Sequence, residues 1–121
     1  MKIILSCLAA LLFLTANSQT DSVAKFKSTT HSFGKIKQHV PATTEFWFTN
    51  TGNKPLIIET AVAECGCTTP DYPKTPLTKD KSAVIKVTYN AAAMGAFTKK
   101  ITVNFSDAAS KKELNIKGTV K

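Results

Sequence analysis

Ala83-Val84-Ile85-Lys86-Val87-Thr88-Tyr89-Asn90 decides the fold. In an extended chain successive side chains point to opposite faces. Ala83, Ile85, Val87 and Tyr89 therefore share one face, and Val84, Lys86, Thr88 and Asn90 the other. The same period of two sets Phe97, Lys99, Ile101, Val103 and Phe105 against Thr98, Lys100, Thr102 and Asn104. Between the two runs, Ala91-Ala92-Ala93-Met94 is stopped by Gly95 and reads as a turn rather than a helix.

The pattern extends outward in both directions. Upstream, Phe46 and Phe48 alternate with Glu45, Trp47 and Thr49. Asn50-Thr51-Gly52-Asn53-Lys54-Pro55 is a turn cluster, and Leu56 to Val62 is a β-branched run. Cys65 to Pro76 carries Pro70, Pro73 and Pro76 and is excluded as a central strand. Downstream, Leu114, Ile116, Gly118 and Val120 close the chain, and two weaker strands fall at Ala24–Lys27 and Thr30–Ile36. The spacing predicts an all-β domain, a single antiparallel Ig-like sandwich of about seven strands. A small closed barrel is the competing arrangement. Phe46, Phe48, Ile85, Val87, Tyr89, Ile101, Val103, Phe105, Leu114 and Ile116 are expected inside. Trp47 falls on the opposite face from Phe46 and Phe48. It is either a contact surface or a ring covered by a loop or lysine stem.

The first eighteen of the 121 residues read differently. Lys2 precedes an almost unbroken apolar run from Ile3 to Leu14, and Ala16 and Ser18 supply small residues before Gln19. This is the pattern of a secretory signal peptide, residues 1–18, cleaved after Ser18. The run is short for a membrane anchor, and Cys7 lies too early and too deep within it for a lipid attachment site. Residues 19–23 are expected to form a short disordered lead-in, and 24–121 the domain. After cleavage no transmembrane span is expected. The address is the periplasm, the cell surface or the medium.

Cleavage leaves 15 lysines against 8 acids, with no arginine anywhere. Arginine is the residue that reads phosphate and guanine in bidentate fashion, so specific nucleic-acid recognition is not expected. The lysines are spread from Lys25 to Lys121. They suit a soluble surface with guarded strand edges, or a surface for an anionic lipid or glycan.

Cys65-Gly66-Cys67-Thr68 is the one local motif with chemistry in it. Gly66 lets the chain bend so that the two cysteines can bond as a disulfide. Free, they could hold Cu(I), or zinc with His31 and His39. Redox work is the third use, although the C-x-x-C of thioredoxin-like sites is missing. The fourth is purely structural, two small residues at a strand end. Glu45, Glu59, Glu64, Asp71, Asp80, Asp107 and Glu113 form no paired motif. No nucleophile elbow, zinc-helix or phosphate-loop pattern occurs either.

An ordered series of segments carries a resemblance. It runs through Phe33-Gly34-Lys35-Ile36, Phe46-Trp47-Phe48-Thr49-Asn50-Thr51-Gly52, Pro55-Leu56-Ile57-Ile58 and Cys65-Gly66-Cys67-Thr68. It continues through Pro73-Lys74-Thr75-Pro76-Leu77, Gly95-Ala96-Phe97-Thr98-Lys99 and Leu114-Asn115-Ile116-Lys117-Gly118. Over about residues 26–120 the chain resembles domain-of-unknown-function family 1573. These are secreted Ig-like domains of Bacteroidetes-type bacteria, distantly similar to Hydin-type domains. The resemblance implies the sandwich and one candidate loop, Cys65 to Thr68, and no activity. Thr78-Lys79-Asp80-Lys81 stands where the family tends to have a Pro-Gly turn. Asn104-Phe105-Ser106-Asp107 stands where a Ser-Asn pair often ends a strand.

The expectation for function is a non-enzymatic exported module, without a cofactor, that binds or assembles with another envelope or extracellular protein. Its contact would be an edge strand or the face bearing Trp47. The alternative is a thiol-redox or Cu(I)-handling protein using Cys65 and Cys67.

Overall fold

The structure, a computed structural model, describes residues 22–121. The expected signal peptide therefore lies outside the described residues, as do residues 19–21 of the lead-in. Eight strands form in the order β1 (Ala24–Phe26), β2 (Thr30–Ile36), β3 (Ala42–Asn50), β4 (Ile58–Ala63), β5 (Thr68–Asp71), β6 (Ser82–Tyr89), β7 (Gly95–Phe105) and β8 (Lys112–Val120). One 3-10 turn, Ala108–Ser110, lies between β7 and β8. Two four-stranded sheets result, ordered β1-β3-β6-β5 and β2-β8-β7-β4. All pairings are antiparallel except β2 with β8, which is parallel. This is the sandwich, not the closed barrel.

The alternation read from the sequence sets what lies between the sheets. All ten residues expected inside are buried, Ile85, Val87, Ile101, Val103, Leu114 and Ile116 completely. These six aliphatic side chains fill the middle of the core. Aromatic groups close its two ends. At one end Phe48 stacks on Phe26 with centroids 5.2 Å apart and meets Phe105 edge-on at 5.5 Å. At the other, Tyr89 stacks on Phe97 at 3.9 Å, and Phe33 lies beyond it. Such contacts add about 1 kcal/mol each to the burial of the rings.

The eighth strand, β5, was not expected. It falls inside the proline-bearing segment. Pro70 is tolerated because β5 is an edge, paired only with β6, where a missing N–H need not break a ladder on both sides. The Leu56–Val62 run starts its strand two residues late. Leu56 instead bridges Leu77, and β4 carries a bulge between Ile58 and Thr60. Ala91-Ala92-Ala93-Met94 is a loop, with Ala91 buried and left-handed at φ 57°.

Two loops that depart from the family pattern are closed by their own aspartates. In Thr78-Lys79-Asp80-Lys81 the left-handed position is taken by Asp80, φ 64°, and Lys81 N donates to Thr78 O. Aspartate visits that region more easily than most L-residues. After β7, Asp107 accepts from Ala109 N and from Ser110 Oγ, so its carboxylate does the capping.

Asn50 ties the loops at this end of the sandwich together. It is fully buried. Its Nδ2 donates to Lys54 O and to Leu77 O, both at 2.8 Å, and its Oδ1 accepts from Gly52 N. Gly52 must be small, since a Cβ there would lie 2.9 Å from the Val23 side chain. Of the expected lead-in, Ser22 bonds Ala24 O, and Val23 N donates to the buried Ser110 Oγ.

Candidate functional site

The Cys65-Gly66-Cys67-Thr68 loop carries the chain from β4 in one sheet to β5 in the other. Glu64 N donates to Lys100 O, and the Glu64 carboxylate accepts from Lys100 N, which fixes the departure from β4. Cys67 O accepts from Asn90 N at 2.9 Å, which fixes the arrival beside β6. Cys65 and Cys67 are joined by a disulfide, their Cα atoms 5.3 Å apart. Thr68 is buried beneath them. Its Oγ1 lies 3.9 Å from Cys65 Sγ and 3.8 Å from Cys67 Sγ. Gly66, between the two, is exposed, and a Cβ there would meet nothing.

This arrangement is a staple across a sheet-to-sheet crossing. Both sulfurs are committed to each other, and a metal ligand or nucleophile is a thiolate. His31 sits on β2, at the opposite edge of its sheet from β4, with its ring 4.8 Å from that of Phe33. His39 lies in the β2–β3 loop at φ 64°. Among the described residues, no three His, Cys, Asp or Glu side chains come together in a way that would hold a metal ion. The histidines do not complete a site with the cysteines.

Trp47 is the second candidate. The register Trp47↔Val84 and Glu45↔Lys86↔Asp71 assembles the outer face of the β1-β3-β6-β5 sheet. Trp47 remains 43% exposed. Its Nε1 donates to Glu45 Oε2 at 3.2 Å, which restrains the ring along the strand. Beside it opens a shallow depression of about 500 Å³ walled by Tyr72, Pro73 and Val84, with Asp71 and Lys86 at the rim. Lys74 Nζ sits 4.2 Å over the Tyr72 ring. The sequence placed Trp47 on this face. It did not reveal Tyr72 and Pro73 beside it, because they reach the patch only through the unexpected β5.

The outer face of the other sheet differs. It presents Thr102, Asn104, Asn115 and Lys117 with one exposed apolar side chain, Val62 opposite Thr102, and Lys100 and Glu113 form an exposed ion pair at 3.8 Å. A pair of this kind contributes little.

The profile of the family described as "Protein of unknown function (DUF1573)" matches residues 24–120. The chain belongs to the DUF1573 family. No curated protein matches it. Solved structures of similar fold include a protein of unknown function from Porphyromonas gingivalis W83, with 14% identity and a TM-score of 0.68. That match covers 85% of this chain and 51% of the other, so this DUF1573 chain spans about half of that protein's length. Another is the ASH/PapD-like domain 7 of human CEP192, at 8% identity and TM-score 0.68, covering 83% and 86%. A third is the CsuC–CsuE chaperone–tip adhesion subunit pre-assembly complex of Acinetobacter baumannii, at 12% identity and TM-score 0.60, covering 83% and 58%. At these identities the likeness is one of fold: an Ig-like, PapD-like sandwich. The Vibrio cholerae VesB protease contains a similar region, 13% identical with a TM-score of 0.64, over 32% of its chain and 82% of this one. Among the described residues of this DUF1573 domain, no helix is long and apolar enough to cross a membrane.

Proposed function

We propose that this DUF1573 protein is an exported, non-enzymatic module that binds or assembles with another protein of the cell envelope. Residues 1–18 act as its cleaved signal peptide and residues 24–121 form the working domain. The observation that carries the reading is Trp47. A large aromatic, 43% exposed and restrained by Glu45, stands beside Tyr72, Pro73 and Val84 with charges of both signs around it. Exposed aromatics ringed by polar groups are where protein contacts concentrate their energy. The sandwich supports the reading by analogy, since a fold relative comes from a pre-assembly complex of a chaperone with a tip adhesion subunit. The Cys65–Cys67 disulfide acts in this reading as a staple that positions β5, and with it Tyr72, against the Trp47 face. A disulfide suits an oxidising compartment outside the cytoplasm.

Capture of partners from native envelopes tests the proposal. The parent protein is expected to retain a discrete partner, and Trp47→Ala to lose it while staying folded. If every partner survives the substitution, the Trp47 face is not the contact.

A further inference from the structure

Four large apolar side chains are exposed among the described residues: Val40, Trp47, Val62 and Met94. Isolated ones need no explanation. Val40 and Met94 are not isolated from each other. Val40 lies in the loop from β2 to β3 and Met94 in the loop from β6 to β7, and both loops cross between the sheets at the same end of the sandwich. The loops are bonded together. His39 N donates to Ala91 O at 2.9 Å, and Gln38 Nε2 donates to Ala92 O at 3.0 Å. Pro41, Ala92 and Ala93 beside them are exposed too.

Charge at this end is mainly positive. Lys35, Lys37 and Lys121 are exposed there, and Lys121 is drawn in by its backbone bonds to Ile36 and Gln38. The stretches 30–42, 88–100 and 115–121 that build most of this end contain no aspartate or glutamate. The β4–β5 crossing, which reaches the same end beside Asn90, brings one acid, Glu64, whose carboxylate accepts from Lys100 N. The opposite end also carries lysines, Lys54, Lys79, Lys81, Lys111 and Lys112. It interleaves them with Asp80 and Asp107, and none of the exposed large apolar residues is there.

From this we infer that the Val40–Met94 end is a membrane-contact tip, which inserts its apolar points into an anionic phospholipid surface while the lysines meet the headgroups. Both parts are needed. Apolar points supply burial at the headgroup–acyl boundary, and lysines supply attraction to negative lipid. Neither Val40 nor Met94 borders the depressions beside Trp47, Gly52, Leu77 or Phe26. A second copy is disfavoured, because two cationic tips would face each other. The inference is independent of the Trp47 reading, as it uses the other loops.

Co-sedimentation of the mature domain with vesicles of equal parts phosphatidylglycerol and phosphatidylcholine tests it. Binding is expected to these vesicles and not to pure phosphatidylcholine, and to weaken as salt rises. Val40→Asp with Met94→Asp is expected to weaken partitioning by roughly ten-fold or more, since each buried apolar side chain contributes that order. Lys35→Gln with Lys37→Gln should cost about five-fold per lysine, and Lys79→Gln with Lys81→Gln much less. The single tryptophan, Trp47, lies away from the tip, so its emission reports that each variant is folded. The inference is overturned if the parent does not sediment with anionic vesicles. It is also overturned if binding survives the Val40/Met94 change, or falls equally with Lys79 and Lys81. Retention by an acidic peptide in place of vesicles would assign the tip to a protein instead.

Discussion

Asp80 shows how one side chain can hold a turn where the family tends to have Pro-Gly. Its φ of 64° is the left-handed conformation that glycine adopts freely. Aspartate holds it at modest cost, and alanine would pay more, about 1 kcal/mol. Asp80→Gly is therefore expected to match or exceed the parent in thermal stability. Asp80→Ala should fall by about 1 kcal/mol, a lowering of the melting midpoint on the order of 5 °C. Equal midpoints for the two variants would refute this account of the turn. Asn50 teaches a related lesson. In the sequence it is one more polar residue of a turn cluster. In the structure it is fully buried and bonded to Lys54, Leu77 and Gly52. Nothing local distinguishes it, because two of its partners are carbonyls brought close by the loops themselves.

Strands whose faces differ in polarity were legible. β3, β6, β7 and β8 each bury one face, so their alternation fixed both their existence and which side chains point inward. β5 was not legible, because a four-residue edge containing Pro70 has no alternation to read and owes its place to β6. That gap hid half of the Trp47 patch. The Cys65–Cys67 motif was visible, but its three chemical readings could be narrowed only when the sulfurs were placed against each other and His31 on the far edge. The staple closes a very short loop, so by chain entropy it stabilises by only roughly 1–2 kcal/mol. Cys65→Ser with Cys67→Ser is accordingly expected to leave a folded sandwich whose β5 exchanges its amide protons faster, while β3 and β7 stay protected. Global unfolding of the double variant would show that the staple supports more than one edge.

At the scale of the whole molecule, the two outer faces and the two ends have different characters. One face carries Trp47 with Tyr72, Pro73 and Val84, and the other a mainly polar array around Lys117 with Val62 at its β4 edge. One end is apolar and cationic, and the other is mixed in charge. A body of this kind can touch a membrane with its tip and a protein with its side without the two contacts competing. The side contact is the central claim, and photo-crosslinking in intact cells tests it most directly. A photoreactive residue at Val84 is expected to yield a discrete covalent adduct with one envelope protein, and the same residue at Lys117 to yield none. An adduct from Lys117 with none from Val84 would contradict the account.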